Sequence, residues 1–377
     1  MIDYDTLRLI WWALLGVLLA GFGVTGGFDL GVGAMLRVLG RTDDERKVLV
    51  NVVAPTWDGN QVWLILGAGA VFAAMPLAYA TSFSVLYPAM LAALFALFFR
   101  PTGFEYRAKV NKARWRNFWD WALVIGGALP AIVFGVAFGL ILSGIPFHFD
   151  PDMRVVMDGG LWDAVTPFAL FAGVVSLVML SMHGAAFVNL KTVDTLQVRA
   201  ISWMRRLALL LIVLLAAGGL WIAQGIEGYS LHGPMLANQV STPLDQHVVR
   251  EVGAWLNNFK AHPWMWSAPI AAMAGAALAA WLAWYPLIAL LFSGISVAGV
   301  IATAGFAAFP FLLPSSTHPD HSLTIWNAAA SPHTLTWMTA AAVVFVPIIL
   351  AYTSWVFHVL RGPVRASHLK NNEYGTY

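Results

Sequence analysis

The sequence contains no cysteine and very few charged residues. None of its 377 residues is Cys, and Asp, Glu, Lys and Arg together account for only 11% of the chain. Without cysteine the chain can form no disulfide bond, hold no iron–sulfur cluster and offer no thiolate to a haem iron. Soluble domains are about 25% charged, so the scarcity of charge excludes an ordinary soluble protein.

Hydrophobic residues take the place of the missing charge and make up 59% of the chain, which is typical of a membrane protein. The net charge of +2 gives no indication of nucleic-acid binding. The first residues, MIDYDTL, are acidic where a signal peptide is basic, and the apolar run after them is too long for a signal sequence. We therefore expect this run to remain as the first membrane span.

Nine apolar runs are long enough to be transmembrane helices, which need about 20 residues to cross about 30 Å of hydrocarbon. Only the uncharged segment AAWLAWYPL, with Pro286, separates the seventh run from the eighth, so one re-entrant hairpin is the alternative there. No internal repeat is evident, and we expect residues 1–377 to form a single integral membrane domain. The runs lie near 9–36, 51–78, 80–99, 117–144, 164–190, 203–226, 264–283, 286–313 and 334–360.

The distribution of Lys and Arg predicts the orientation of these spans. Basic residues concentrate in the segments that follow the first, third, fifth and ninth runs, whereas the alternate segments hold only Arg8, Arg154, Arg250 and Lys260. Because basic residues are retained in the cytoplasm, we expect a periplasmic N-terminus and a cytoplasmic C-terminus. The two long periplasmic segments, 145–163 and 227–263, are expected to form ordered caps.

Residues 56–64, TWDGNQVWL, place a carboxylate inside an apolar span. Asp58 follows Trp57 and stands close to two amides, Asn60 and Gln61. These neighbours can form hydrogen bonds to the carboxylate, which an acid with a purely structural role would not need. The pattern therefore favours a functional role for Asp58.

Ionisable groups of the first five spans collect in the cytoplasmic half of the membrane. At a rise of about 1.5 Å per residue, Asp29, Asp58 and His183 share a depth of about 12 Å. Charges at such positions cost about 2.5–3.5 kcal/mol unless they have partners or water. The pattern suits a half-channel that leads protons inward from the cytoplasm. The groups are Asp29, Asp58, Arg100, Glu105, Asp120 and His183.

Several of these groups also have a structural interpretation. Asp29 and Arg100 can form a buried ion pair that fixes the helix register. Asp120 is better explained as an N-terminal cap of the fourth span, where it would interact with the helix dipole. For His183, a hydrogen-bonded buried histidine is favoured over a ligand role.

The first span also carries a packing signal. Gly23, Gly27 and Gly31 are spaced four residues apart and form a smooth stripe that another helix can approach closely. Asp29 lies about 200° around the helix from Gly27, at about 100° per residue, on the same side as Gly33. We therefore expect both faces of this helix to be buried in protein.

The histidines are poorly placed to hold a haem. A transmembrane b-type haem needs two ligands at similar depth on facing helices, but His183 and His358 differ in depth by about 9 Å. The segment SSTHPDH at 315–321 has one His-x-x-His spacing with an Asp, a pattern of low specificity. The sequence therefore predicts neither a metal nor a haem in this chain.

Two classes of protein are compatible with these observations. One is a subunit of a respiratory complex that carries protons to a cofactor held by a partner. The other is a proton-coupled secondary transporter. Transporters commonly show internal repeats and a binding site at the membrane midplane, whereas here the ionisable groups lie nearer one surface.

Eight segments of the sequence together carry a resemblance to a known family. They are IDYDTLRLIWW at 2–12, GFDLGVG at 27–33, APTWDGNQVWL at 54–64, FFRPTGFEYR at 98–107, RWRNFWDW at 114–121, GAWLNNF at 253–259, TAGFAAFPFLLPSST at 303–317 and SLTIWNAA at 322–329. No single segment would be specific on its own, but in this order over nearly the whole chain they make the sequence resemble subunit II of the cytochrome bd-type quinol oxidases.

This resemblance implies nine helices, eight of them in two four-helix bundles and one peripheral. It also implies a partner, subunit I, that holds two b-type haems, haem d and the quinol site. The complex would sit in the bacterial inner membrane, oxidise ubiquinol and reduce dioxygen to water, generating a proton gradient. Ubiquinone as a structural ligand and a small single-helix accessory subunit are further expectations.

The resemblance also implies roles for single residues. Trp57 and Asp58 match a buried polar pair of the family, and Asp29, Arg100 and Glu105 match its other polar positions, so these five are the predicted proton route. Asn60, Gln61, Asp120 and His183 are secondary candidates. Relatives often read VTDGFD where this chain reads VTGGFD at 24–29, so Gly26 replaces an acid, and this departure argues against a route through two carboxylates on the first span.

Overall fold

Helices form most of the secondary structure in the computed structural model, which describes residues 2–160, 164–233 and 238–364. The predicted all-helical class is therefore confirmed. Twelve α-helices lie in these ranges: α1 (Tyr4–Leu39), α2 (Asp43–Val53), α3 (Trp57–Ala74), α4 (Pro76–Val85), α5 (Tyr87–Tyr106), α6 (Ala113–Ser143), α7 (Pro167–Lys191), α8 (Asp194–Gln224), α9 (Asn257–Ala261), α10 (Ser267–Trp281), α11 (Pro286–Ala308) and α12 (Pro332–Val359).

The number of membrane spans is lower than predicted when length and composition are the criteria. Seven of the described helices are long and apolar enough to cross a membrane, and the bent pair α3–α4, which meets at 119°, raises the number to eight. Helix α10, in the seventh predicted run, has only 15 residues. The count of nine and the arrangement in two bundles stay predictions.

Proline divides the second and third predicted runs differently from the expectation. Pro76 stands in the first turn of α4, and Pro88 stands in the first turn of α5. Proline lacks the backbone N–H that would continue a preceding helix, but it is tolerated in the first turn of a new one. As a result, α4 begins within the run 51–78, and α5 begins at Tyr87 rather than near residue 80. The same run also contains the end of α2, which is a separate helix from α3.

Helix α1 is packed on two sides by other helices, and its glycines allow the close approach. A Cβ atom at Gly31 would lie 1.9 Å from the carbonyl oxygen of Leu180 in α7. On the opposite side, a Cβ at Gly33 would lie 3.2 Å from the carbonyl oxygen of Leu123 in α6. The prediction that both faces of this helix are buried is confirmed.

Three short antiparallel strand pairs lie at the end of the bundle where α1 begins. They are β1 (Phe147–Phe149) with β2 (Val155–Met157), β3 (Glu227–His232) with β4 (His247–Val252), and β5 (Phe311–Leu313) with β6 (Leu323–Thr324). The Tyr4 hydroxyl of α1 donates to the carbonyl of Ala330 at 2.8 Å, close to the β5–β6 pair. We call this end the hairpin face. The expected ordered caps are thus present in the described residues.

The opposite end of the bundle carries five of the eight arginine–carboxylate ion pairs found among the described residues, and we call it the charged face. Arg199 of α8 binds Glu45 of α2 there at 2.9 Å.

Helix α12 lies at the outside of the bundle, since Leu335 is its only buried residue.

Candidate functional site

A carboxylate, an amide and a guanidinium meet in the interior of the bundle. Asp29 of α1 accepts a hydrogen bond from the side-chain nitrogen of Asn60 in α3 at 2.8 Å. The guanidinium of Arg100 in α5 lies 3.6 Å from the same Asp29 oxygen. Asp29 is 1% exposed and Arg100 is 2% exposed. We call Asp29, Asn60 and Arg100 the buried cluster, because three separate helices bring them together out of contact with solvent.

Hydrogen bonding within the buried cluster is incomplete. Asp29 Oδ1 and both terminal nitrogens of Arg100 have no hydrogen-bond partner among the described residues. Buried polar atoms are normally paired, because leaving one unpaired costs about 1–3 kcal/mol. A cavity of about 10 Å³ adjoins both side chains and is large enough for about one water molecule. Unpaired donors and acceptors beside such a cavity suit the passage of a proton.

Trp57 covers the buried cluster on one side. Its ring centroid lies 5.9 Å from the guanidinium carbon of Arg100, which is within cation–π range. The same ring lies 6.0 Å from the ring of Phe104. Trp57 is half-buried, so it contacts the cluster and also reaches the surface of the chain.

Asp58 and Glu105 lie on the outside of the described chain. Both are exposed, whereas the sequence placed Asp58 in a buried pair with Trp57. The physical reason is the helical period, because Asp58 and Asn60 are about 200° apart around α3. Asn60 therefore faces α1 while Asp58 faces outward. The expected burial of Asp58 within this chain is wrong, and its role in proton transfer stays a prediction.

The remaining amide, Gln61, lies on the side of α3 between the inward-facing Asn60 and the outward-facing Asp58. Its side chain is half-buried, and its Nε2 has no hydrogen-bond partner among the described residues. Gln61 therefore donates no hydrogen bond to Asp58, and Asn60 binds Asp29 instead. The hydrogen bonds from both amides that the sequence predicted for Asp58 are not formed among the described residues.

Asp120 forms a different kind of site at the charged face. Its two oxygens bind Arg107 at 2.6 Å and Arg46 at 2.8 Å, and the carboxylate is 1% exposed. The interpretation of Asp120 as a helix cap is wrong, because the N-cap of α6 is Lys112. Asp120 lies seven residues after the first residue of α6, too far along the helix to reach its unpaired N–H groups.

His183 is a fully hydrogen-bonded buried histidine, as the sequence favoured. Its Nδ1 lies 2.8 Å from the Ser293 hydroxyl, and its Nε2 lies 2.8 Å from the carbonyl oxygen of Val24. Both ring nitrogens are therefore engaged within the chain. His358 is exposed on α12. This pair does not fit the two axial positions of a haem.

Sequence reasoning missed two features of these sites. It placed Asn60 beside Asp58, whereas Asn60 binds Asp29; the helical period of α3 was the available signal. It also did not foresee that Arg46 and Arg107 pair with Asp120. Arg46 lies 74 positions and Arg107 lies 13 positions from Asp120 in the chain. No local sequence pattern predicts contacts over these separations.

The chain is similar over nearly its whole length to one known protein family and to individual relatives within it. The family model described as cytochrome bd terminal oxidase subunit II matches residues 7–360. The chain is 46% identical to cytochrome bd-I ubiquinol oxidase subunit 2 of Escherichia coli strain K12. The alignment has a length of 386 positions and covers 100% of both chains. It is 31% identical to cytochrome bd ubiquinol oxidase subunit 2 of Bacillus subtilis, covering 98% of this chain and 99% of that one.

A solved structure supports the fold. A chain in the structure of bd oxidase from Geobacillus thermodenitrificans superimposes with a TM-score of 0.68, covering 94% of this chain and 99% of that one, at 15% sequence identity. The family match over nearly the whole length, together with these relatives, leads to one assignment: this chain belongs to the cytochrome bd terminal oxidase subunit II family.

Proposed function

We propose that this chain is the haem-free membrane subunit of a ubiquinol oxidase and that it conducts cytoplasmic protons toward a partner subunit that reduces dioxygen. As a subunit II, it is a multi-pass protein of the bacterial inner membrane and part of an oxidoreductase complex with a subunit I. Membership of an oxidase family leaves no observation in favour of the transporter alternative.

The observation that carries the proton route is the incomplete bonding of the buried cluster. A pair that only fixed helix register would be expected to satisfy its donors and acceptors. Instead, within the ranges that the structure describes, Asp29 Oδ1 has no hydrogen-bond partner and lies beside a cavity of about 10 Å³. A carboxylate so placed can accept a proton from a neighbouring water and release it again. Arg100 supplies the positive charge that stabilises the ionised form.

The orientation of the route follows from the charged face. Basic residues in the described part of this face include Arg46, Arg107 and Arg199. The positive-inside rule assigns such a face to the cytoplasm. On this basis the N-terminus is periplasmic, and the buried cluster takes protons from the cytoplasmic side. Asp29 is the carboxylate that α1 supplies to the cluster, and Gly26 stands where relatives have a second acid.

The exposed acids support a partner on the α3 and α5 surface. Asp58 shares the exposed side of α3 with Val62 and Ile65, which are 44% and 69% exposed. A carboxylate against lipid tails would cost about 2.5–3.5 kcal/mol. Polar groups of subunit I would remove that cost. We therefore infer that Asp58 and Glu105 face subunit I and continue the route from the buried cluster into it.

The haems belong in this proposal to subunit I, as two b-type haems and one haem d, where they supply the electron transfer and oxygen reduction. The residues of this chain do not fit that role, since both nitrogens of His183 are engaged and His358 is exposed. Ubiquinol is the proposed electron donor. A structural ubiquinone and a small single-helix accessory subunit stay predictions.

The substitution Asp58→Asn in the assembled complex tests this proposal. Asparagine keeps the shape of the side chain but cannot carry a proton. We expect the complex to assemble with a normal haem spectrum while turnover-linked proton uptake in liposomes falls at least about tenfold, which corresponds to about 1.4 kcal/mol in the barrier.

The matched control is Asp44→Asn, at an exposed acid in the first turn of α2. We expect it to leave proton uptake unchanged. If Asp58→Asn also leaves uptake and turnover unchanged, Asp58 has a structural role and the route does not pass through it.

A further inference from the structure

We propose that His148, Asp158 and His318 form a binding site for one divalent transition-metal ion of the zinc class on the hairpin face. These residues belong neither to the buried cluster nor to the charged face. Their candidate ligand atoms all lie within 4.8 Å of one another. The sequence predicted no metal, because only the segment at 315–321 looked suitable, and the other two ligands come from a distant part of the chain.

The geometry around Asp158 brings two imidazoles to one carboxylate. His148 Nδ1 lies 2.7 Å from Asp158 Oδ1. His318 Nδ1 lies 3.4 Å from Asp158 Oδ2. The two imidazole rings are 4.9 Å apart between centroids. Two ring nitrogens and one carboxylate are a ligand set that zinc sites use, with a fourth position left for water.

Backbone hydrogen bonds fix the hairpin that holds the first two ligands. His148 lies in β1 and is paired with Val156 of β2. The backbone N–H of Asp158 donates to the carbonyl of Pro146 at 3.0 Å. The positions of His148 and Asp158 are therefore set by the hairpin rather than by flexible side chains alone.

A second set of hydrogen bonds joins the 315–321 loop to this hairpin. The backbone N–H of Ile145 donates to Pro314 at 2.9 Å, and that of Ser316 donates back to Ile145 at 3.0 Å. The backbone N–H of His318 donates to the Ser315 hydroxyl at 3.1 Å. The loop thus presents His318 to the carboxylate in a defined position.

Neighbouring polar groups orient the carboxylate and distinguish ligands from supporting residues. The Thr317 hydroxyl donates to Asp158 Oδ2. His321 accepts a hydrogen bond from the backbone N–H of Phe149 at its Nδ1, at 2.9 Å. A neutral His321 then carries its proton on Nε2, so neither nitrogen offers a lone pair to a metal. We therefore assign three protein ligands and give Thr317 a supporting role.

The chemical class of the ion follows from the donors. Two imidazoles with one carboxylate favour Zn²⁺, Ni²⁺ or Cu²⁺ over Mg²⁺ and Ca²⁺, which prefer all-oxygen sites. The short contact between His148 and Asp158 is a hydrogen bond through a proton on Nδ1. When a metal binds this nitrogen, the neutral imidazole carries its proton on Nε2 instead, and the carboxylate turns from hydrogen-bond acceptor to ligand. A bound ion would link the β1–β2 hairpin to the 315–321 loop.

The test measures metal binding to the intact oxidase complex, purified through a tag without histidine and freed of metal with a chelator. Zn²⁺ is titrated calorimetrically, and bound zinc is counted by mass spectrometry after desalting. The variants are His318→Ala and Asp158→Asn. The matched control is His333→Ala, at another exposed histidine close to the start of α12.

We expect one zinc ion per complex to be lost in both ligand variants and retained in the control. Thr317→Val should weaken zinc binding about 10-fold or more, the usual effect of removing a group that orients a ligand. The haem spectrum reports whether each variant complex is intact. Co²⁺ in place of Zn²⁺ should give the visible absorption of a four-coordinate ion in the wild type only.

Two results would overturn the proposal. In the first, the wild-type complex binds no more zinc than the His318→Ala variant. In the second, zinc binds equally to all variants with intact haem spectra, so that it resides elsewhere. Either outcome would leave Asp158 as an acceptor of histidine and threonine hydrogen bonds and no more.

Discussion

Two buried carboxylates in this protein are held in opposite ways. Asp120 at the charged face binds Arg107 at 2.6 Å and Arg46 at 2.8 Å, so each oxygen has a cationic partner. Asp29 in the buried cluster has one hydrogen bond, from Asn60, and an arginine at 3.6 Å. Both oxygens of Asp120 are thus paired, whereas Asp29 Oδ1 finds no hydrogen-bond partner in the described part of the chain and lies beside a small cavity.

The difference indicates which carboxylate can take part in chemistry. A carboxylate with two short charge-assisted hydrogen bonds is held in its ionised form and in one orientation. A carboxylate with an unpaired oxygen can gain a proton without breaking a strong bond. We therefore infer that the ion pairs of Asp120 have a structural role and hold α2, α5 and α6 together. We assign proton transfer to the buried cluster.

The largest expected effect comes from removing the cation of the buried cluster. Arg100→Leu leaves Asp29 without its countercharge inside a membrane span, and breaking a buried pair in this way costs about 3–5 kcal/mol. We expect little assembled oxidase in membranes, measured as haem absorbance per total protein. Arg100→Lys, which keeps the charge, should assemble far better. Equal yields of wild type and Arg100→Leu would show that Asp29 does not depend on Arg100.

A smaller effect is expected from displacing α1, which carries Asp29 but not Asp120. Gly31→Ala places a Cβ atom 1.9 Å from a backbone oxygen of α7, so the two helices must separate. Overpacking of this kind costs about 1–3 kcal/mol. We expect a lower thermal midpoint of the complex and reduced turnover per haem. Gly16→Ala, where nothing lies within 4 Å, is the control and should behave as wild type.

The smallest effect concerns the charged face, where Arg199 binds Glu45. Burial raises the pKa of Glu45, but hydrogen bonds from Arg199 and from the backbone of Arg41 and Thr42 outweigh it and hold this pKa below the ordinary value of 4.5. A depressed pKa contributes stability that is present above pH 4.5 and is lost as the pH falls through the folded-state value.

Glu45→Gln should therefore lower stability at pH 7 by about 1 kcal/mol or less, as expected for a partly exposed ion pair. The gap from wild type should close below pH 4.5, and thermal unfolding monitored by circular dichroism at both pH values measures it. A gap that grew on acidification would contradict this account of the charged face.

The sequence predicted the helical class and the packing of α1 well, because apolar runs and spaced glycines are local signals. It did not predict the bend between α3 and α4, since the residues on both sides of Pro76 are apolar and read as one continuous span. The sequence also suggested the pairing of Asp29 with Arg100, which the structure contains. It wrongly predicted that the side chain of Asp58 faces the interior of the chain. The helical period puts Asp58 and Asn60 on opposite sides of α3, and the packing of α3 on α1 decides that Asn60 is the residue that faces Asp29.

Long-range contacts account for the other corrections. Arg46 lies 74 residues before Asp120 in the chain, so its ion pair depends on how α2 folds back against α6. Asp158 and Thr317 are separated by 159 positions and meet only because the β1–β2 hairpin packs on the 315–321 loop. Neither contact follows from periodicity or composition.

Turnover-linked proton uptake by Asp29→Asn and Asp120→Asn complexes, reconstituted in liposomes, tests the central claim most directly. We expect Asp29→Asn to assemble in lower yield, because Arg100 loses its countercharge, and the complexes that do assemble to lose at least about tenfold in uptake per haem. Asp120→Asn should assemble less well but take up protons at the wild-type rate per haem. Normal uptake in Asp29→Asn, or a matching loss in Asp120→Asn, would contradict the assignment of the buried cluster to proton transfer.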